Sequence, residues 1–254
     1  MVPDESPPAL NPLGYPSDNF DLSNWSLQLP VNAHGEPSGT ATEKTNLIGY
    51  KDSDYFYTGS DGAMVFVAPV QGARTSGSDY TRSELREMNG PREAAWTVAQ
   101  GGTLTAELAV EGVPAESNGV PGGMVIGQVH GQADEMCRLY FDMGTVYLVD
   151  DHGGPNNAPA KFLLHDAAGQ EPDIPVGERF DYVIRVASRE MTVEVFVGNR
   201  LFKAVDPVSP VWDGDRMYFK AGVYNGVGEP SSGASTLGSG AGAVAFYRLA
   251  VSHP

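Results

Sequence analysis

The sequence is short of cysteine, of positive charge, of long apolar runs and of helical periodicity, and each shortage removes a class of protein. A single cysteine, Cys137, cannot form an intrachain disulfide, so stability has to come from burial, which 254 residues can supply. Only 16 Lys and Arg stand against 32 Asp and Glu, a formal charge of -16, which excludes a general attraction to nucleic acid or to an anionic membrane. No apolar run approaches the roughly 20 residues of a membrane span. Met1 to Pro16 lacks the basic and apolar regions of a signal peptide. No repeat period is visible, which sets aside solenoids and propellers. Five histidines, at 34, 130, 152, 165 and 253, fall in no HExxH or HxH spacing, and no G-x-S-x-G elbow, P-loop or dinucleotide fingerprint is present. The reading is of a protein without metal or cofactor, with Asp150-Asp151-His152 as a solvated turn rather than a calcium loop.

What is plentiful is Gly, 31 residues, and Pro, 19, the punctuation of many short strands joined by turns. Trp25-Ser26-Leu27-Gln28-Leu29 alternates apolar and polar side chains and is closed by Pro30, the mark of a half-buried strand. Similar patterns cover 63–68, 103–110, 123–130, 137–142, 145–149, 180–187, 191–197, 217–224 and 243–251. Gly153-Gly154-Pro155-Asn156-Asn157 and Val197-Gly198-Asn199-Arg200 are turn signals, the second a hairpin, because Gly and Asn tolerate positive φ. Strands without helices between them cannot form parallel βαβ units. An all-β, antiparallel fold is expected, closing as a two-sheet sandwich or jelly roll. Residues 1–18, rich in Pro, Asp and Asn, read as a loosely ordered segment, and 19–254 as one domain. Residues 226–242, nearly all small, read as a long mobile loop of the kind that rims a binding site.

Three segments put unusual side chains on one strand face. In Thr81 to Glu87, Arg82, Glu84 and Arg86 share a face opposite Leu85. Gln128 and His130 share another, and Val129 points away. Tyr218, Lys220, Gly222 and Tyr224 alternate with Phe219, Ala221 and Val223. Each pattern alone fits an ion-paired or solvated sheet surface. Their coincidence in a chain poor in cations points instead to a concave face offering guanidinium, ammonium, imidazole, amide and phenol groups. Such a face suits an anionic chain of carboxylates and hydroxyls.

These three segments, TRSELREM from Thr81, IGQVHG from Ile126 and YFKAGVYN from Tyr218, resemble the signature regions of polysaccharide lyase family 7, the alginate lyases. WSLQLP from Trp25 is similar to that family's opening strand, and the likeness spans Leu22 to Leu249. The resemblance implies a β-jelly roll with a concave substrate cleft and an activity, β-elimination at the glycosidic bond of a polyuronate, that leaves a C4–C5 unsaturated sugar. It implies that Arg82, Gln128, His130 and Tyr224 are catalytic and that Glu84, Arg86 and Lys220 bind the chain or support the cleft; Asn225, beside Tyr224, is expected to bind substrate. Arg138 and Tyr140, one face of the following strand, are further subsite residues or exposed ladder residues. Where the family continues Tyr-Asn-Gln, this chain has Gly226, which puts the neighbouring subsite in doubt.

Elimination removes the C5 proton beside a carboxylate whose charge makes that proton weakly acidic. Arg82, Gln128 and His130 would neutralise it, as an oxyanion hole does. Tyr224 would serve as base and as acid to O4. A phenol with a reference pKa near ~10 needs help from cations, and Lys220 or Arg82 is placed to give it. His130 could act from the opposite face. A Val between Gln and His goes with mannuronate preference in the resembling family, although Val129 would not touch substrate. A glycoside hydrolase is disfavoured because Glu84 and Glu87 alternate to opposite faces. A carbohydrate-binding module, or a lyase for another polyuronate, remains open. With alginate, a polymer that cannot enter a cell, as partner, a secreted, monomeric enzyme is expected, with no nucleic acid and no membrane.

Overall fold

The structure is a computed structural model, and it describes residues 9–254. Nearly every strand pairs antiparallel with its neighbours, and the strands sort into a nine-stranded and a seven-stranded sheet, with a small two-stranded ribbon beside them. Among the described residues helix is confined to one turn, Pro16–Asn19, and to two 3₁₀ segments, Pro155–Asn157 and Pro210–Gly214. The all-β expectation holds because period-two alternation allows one face of each strand to be buried between the sheets. The core between them is continuous and rich in aromatics: Phe66 meets Phe246 edge to face and Phe56 at a tilt, and Trp96 tilts on Phe219. Each fully buried Phe of this kind contributes about 3 kcal/mol of transfer free energy.

The centre of the nine-stranded sheet runs, side by side, Glu135–Asp142, Met124–His130, Tyr218–Asn225, Arg82–Asn89 and Trp25–Gln28. Three segments distant in sequence are therefore neighbours. Tyr224 lies opposite Arg82, Lys220 opposite Arg86 on one side and Gln128 on the other, and Tyr218 opposite His130. Two glycines permit this close packing. Gly222, at φ 145, would put a Cβ 2.6 Å from the Ser83 carbonyl oxygen, and the register with Met124–His130 shifts there. At Gly127 a Cβ would lie 2.8 Å from the Tyr182 hydroxyl, which donates to the Ile126 carbonyl.

The hairpin at Gly198-Asn199 is present, joining Glu190–Val197 to Arg200–Pro207 through a two-residue turn with Gly198 at φ 56. The second of these strands was not apparent from sequence. Its core-facing residues are Phe202, Ala204 and Asp206, while Leu201 and Val205 face solvent, so apolar residues lie on both faces and the alternation is blurred. Residues 1–8 of the expected loose segment lie outside the described residues. In the rest of it, Asn11 and Asn19 hydrogen-bond each other and Leu10 packs on the core. The 226–242 stretch is tied down: Val227 is buried, Glu229 pairs with Arg74 at 2.9 Å, and Gly238–Ser239 pairs with Ala115–Glu116.

Candidate active site

Glu84, near the middle of Arg82–Asn89, is wholly buried and is the hub of the site. Its Oε1 accepts from Gln128 Nε2 at 2.5 Å, and its Oε2 pairs with Lys220 Nζ at 2.6 Å and Arg82 Nη1 at 3.4 Å. Lys220 Nζ also donates to Gln28 Oε1 at 3.0 Å. Burial and the nearby Arg82 charge push the Lys220 ammonium down to about 8, against the pull of Glu84. Two cations against one carboxylate leave this network with an excess of positive charge while Lys220 is protonated, and the low-dielectric surroundings screen it little. Glu84 and Lys220, expected among the substrate-binding residues, thus lie under the site and hold its upper layer.

On that layer, the Arg82 guanidinium sits 3.9 Å over the Tyr224 ring. The Tyr224 hydroxyl lies 2.9 Å from Ser78 Oγ, and Tyr80 meets the ring edge-on. Burial pushes the Tyr224 phenol up, while Arg82 and the Ser78 hydrogen bond act in the opposite direction. Lys220, named above as a cation that could lower this phenol, is engaged with Glu84 and Gln28 instead. Arg86 lies 4.1 Å over Tyr218 and pairs with Glu93, and Tyr218 stacks on His130 with 5.0 Å between centroids.

His130 is held at both nitrogens. Nδ1 is 2.7 Å from the Gly131 carbonyl oxygen and Nε2 is 3.3 Å from Glu135 Oε1. Burial works to raise the Glu135 carboxyl, but hydrogen bonds with His130 and Asp151 outweigh it and hold it down to about 2. Asp151 moves the other way, raised by burial and by Glu135, and Arg138 bridges the two acids. Arg138 lies opposite Gln128 on the next strand, and Tyr140, two residues on, stacks on Tyr147.

The sheet therefore brings Arg82, Gln128, His130 and Tyr224 onto adjacent strands, flanked by Arg86, Arg138 and Tyr140. Asn225 is a correction. Its Nδ2 donates to the Ala68 carbonyl and to Thr81 Oγ1, and the side chain is buried. One residue after Tyr224, strand alternation turns it into the sandwich, where it joins the two sheets instead of meeting substrate. Ser78, Glu135 and Tyr218 join the site. Tyr218 carried a sequence signal in its alternation with Lys220, but Ser78 and Glu135 come from turns and strand ends where no periodicity marks them.

Among the described residues no three His, Cys, Asp or Glu side chains are grouped as a metal ion would require. Asp150-Asp151-His152 is not the solvated turn expected: Asp150 is fully buried, its Oδ1 accepting the His152 amide, and it faces the buried Asp206. A cavity of about 710 Å³ is lined by Trp25, Glu87, Trp96 and His253 among others, at the opposite end of Arg82–Asn89 from Arg82, and none of the four converging residues lines it.

An antiparallel sandwich presenting paired guanidinium, imidazole, amide and phenol groups from one sheet defines a protein suited to an anionic sugar chain. Residues 20–253 match the alginate lyase family. An alginate lyase of Klebsiella pneumoniae is 32% identical, over 94% of this chain and 91% of that protein. The crystal structure of the alginate lyase from that organism superposes with a TM-score of 0.79 at 30% identity, covering 94% of this chain and 99% of the other. An alginate lyase of Pseudomonas aeruginosa gives 0.73 at 27% identity, covering 92% and 100%. A family 7 alginate lyase solved with the product GGG gives 0.71 at 29%, covering 95% and 100%. The chain belongs to polysaccharide lyase family 7, the alginate lyases, and its fold is their jelly roll.

Proposed function

We propose that this alginate lyase cleaves the 1,4-glycosidic bonds of alginate by β-elimination, with mannuronate preferred, through Arg82, Gln128, His130 and Tyr224. The observation that carries the reading is the convergence of these four side chains from three adjacent strands over a buried, net cationic network. Arg82 Nε and Gln128 Oε1 are buried and have no hydrogen-bond partner among the described residues, so both side chains keep spare hydrogen-bonding capacity at the site. Arg82, Gln128 and His130 neutralise the uronate carboxylate and stabilise the charge that develops as C5 loses its proton. The Tyr224 phenolate takes that proton. The C5–H electrons form the C4–C5 double bond, the C4–O4 bond breaks, and O4 takes the proton back from Tyr224, which regenerates the phenolate.

Stereochemistry supports the mannuronate preference. There the C5 proton and O4 share a side and one phenol serves both, whereas guluronate needs a second base on the other side. His130 is the imidazole of the group, and its Nε2 is directed to Glu135. Arg86, Arg138 and Tyr140 extend the binding face along the chain. A polymeric substrate places the enzyme outside the cytoplasm, and one complete site per chain suits a monomer.

Ultraviolet absorbance of the unsaturated product is followed with polymannuronate, polyguluronate and a neutral glucan, each with and without chelator. The expected result is a faster rise with polymannuronate than with polyguluronate, none with glucan and no effect of chelator. An equal or faster rise with polyguluronate overturns the preference, and bond cleavage without absorbance overturns elimination.

A further inference from the structure

Tyr224 reaches into the turn that carries Ser78. Thr75 to Ser78 is closed by the Ser78 amide donating to the Thr75 carbonyl at 3.0 Å, and it precedes the strand that carries Arg82. Ser78 Oγ has three polar neighbours: the Tyr224 hydroxyl at 2.9 Å, the Tyr80 carbonyl at 3.0 Å and the Tyr80 amide at 3.1 Å. A hydroxyl has one proton to give and two lone pairs. With Tyr224 neutral, all three are used, since Ser78 gives its proton to the Tyr80 carbonyl and accepts from the Tyr80 amide and from Tyr224. With Tyr224 ionised, the same proton can rotate onto the phenolate, and the Tyr80 amide still donates to Ser78.

We infer that Ser78 is a positioning residue for the elimination, aiming the Tyr224 oxygen and donating its hydroxyl proton to the phenolate that accepts the C5 proton. This rests on Tyr224 being the base. The reason such help is needed lies in the surroundings. The groups acting on the phenol are Arg82, which favours the phenolate, and Glu84 and Glu135, which oppose it, and burial opposes it more than any of them. Arg138, across the sheet, adds a favourable charge. A hydrogen bond donated to a charged oxygen is stronger than one between neutral groups, so Ser78 favours the ionised form selectively. The turn itself is anchored: Arg74 pairs with Glu229, and the Tyr80 hydroxyl lies 3.0 Å from Ser235 Oγ. The Ser78 oxygen is thereby fixed against the strand bearing Tyr224 before substrate arrives.

The test measures kcat and KM on polymannuronate across pH for wild type, Ser78→Ala, Ser78→Thr and Tyr224→Phe, with thermal melting to verify folding. In Ser78→Ala, kcat falls about tenfold, as expected for loss of a hydrogen bond to a charged group, while KM stays within ~2-fold. The ascending limb of the kcat profile moves to higher pH, because the phenolate forms less readily. Ser78→Thr, which keeps the hydroxyl, restores most of the rate and the position of the limb. A wild-type rate and an unmoved limb in Ser78→Ala, beside an inactive Tyr224→Phe, overturn the inference alone. Near-full activity of Tyr224→Phe overturns the reading of Tyr224 itself. If Ser78→Ala melts at the assay temperature, Ser78→Cys, with a thiol that donates poorly, is read by the same criteria.

Discussion

Removing the charge of Glu84 while keeping its shape, as in Glu84→Gln, strikes the hub of the site. The carboxylate is fully buried and accepts from Gln128, Lys220 and Arg82 at 2.5, 2.6 and 3.4 Å. An amide in its place leaves two buried cations without a counter-ion and turns its NH2 either toward both of them, where Oε2 was, or toward Gln128 Nε2, where Oε1 was. Breaking a buried ion pair from one side costs about 3–5 kcal/mol. For a chain of this size that lowers Tm by roughly 6–20 °C. Lys220→Met alone leaves the carboxylate with Arg82 and Gln128, and costs about 2–3 kcal/mol. The double variant removes both charges of the shorter pair, so its loss is smaller than the sum of the single losses by about 1–3 kcal/mol. Lys220 also sets a sign. Its pKa is about 8 in the folded protein and higher when unfolded, so between those values the unfolded chain holds more protons and stability rises with pH. Urea unfolding of the four proteins at pH 7 and pH 9.5 measures both effects. Additive single losses at pH 7, or a Lys220→Met variant with the same pH slope as wild type, would refute the hub.

Glu135→Ala frees His130 Nε2 from its carboxylate, so the ratio of polyguluronate to polymannuronate turnover is expected to rise about 3- to 10-fold as a second base becomes available. An unchanged ratio would remove Glu135 from specificity. Asp206, buried against Asp150, is pushed up to about 8 by burial and by that neighbouring carboxyl, whereas an unfolded Asp titrates near ~3.9. Between those values the folded state holds the extra proton, so this stability is complete at the acid end and is lost as pH rises toward 8. Asp206→Asn, neutral throughout, should flatten that decline and melt ~2–8 °C above wild type at pH 8. Parallel pH slopes for the two proteins in calorimetry would sink the argument.

Alternation of side chains along a strand is a local property, fixed by backbone sterics, and the sequence displays it directly. From it follow the all-β class, most central strands and the shared face of Arg82, Glu84 and Arg86, while the Gly198-Asn199 hairpin follows from turn residues that tolerate positive φ. The same alternation failed where the pattern is blurred, in Arg200–Pro207, because Leu201 and Val205 face solvent and a core that accepts Asp206 beside Asp150 breaks the rule that apolar residues face inward. Which strands lie side by side is a different kind of fact. Arg82, Gln128 and Tyr224 are tens of residues apart, and their union depends on chain crossing and sheet order, which local sterics do not encode. Depth is likewise tertiary: Glu84 and Lys220 look like surface ladder residues in sequence, and only sheet packing puts them beneath the site. Ser78 and Glu135 lie furthest from anything the sequence marks. They come from a turn and a strand end, and their contacts with Tyr224 and His130 exist because the folded sheet carries those side chains to them.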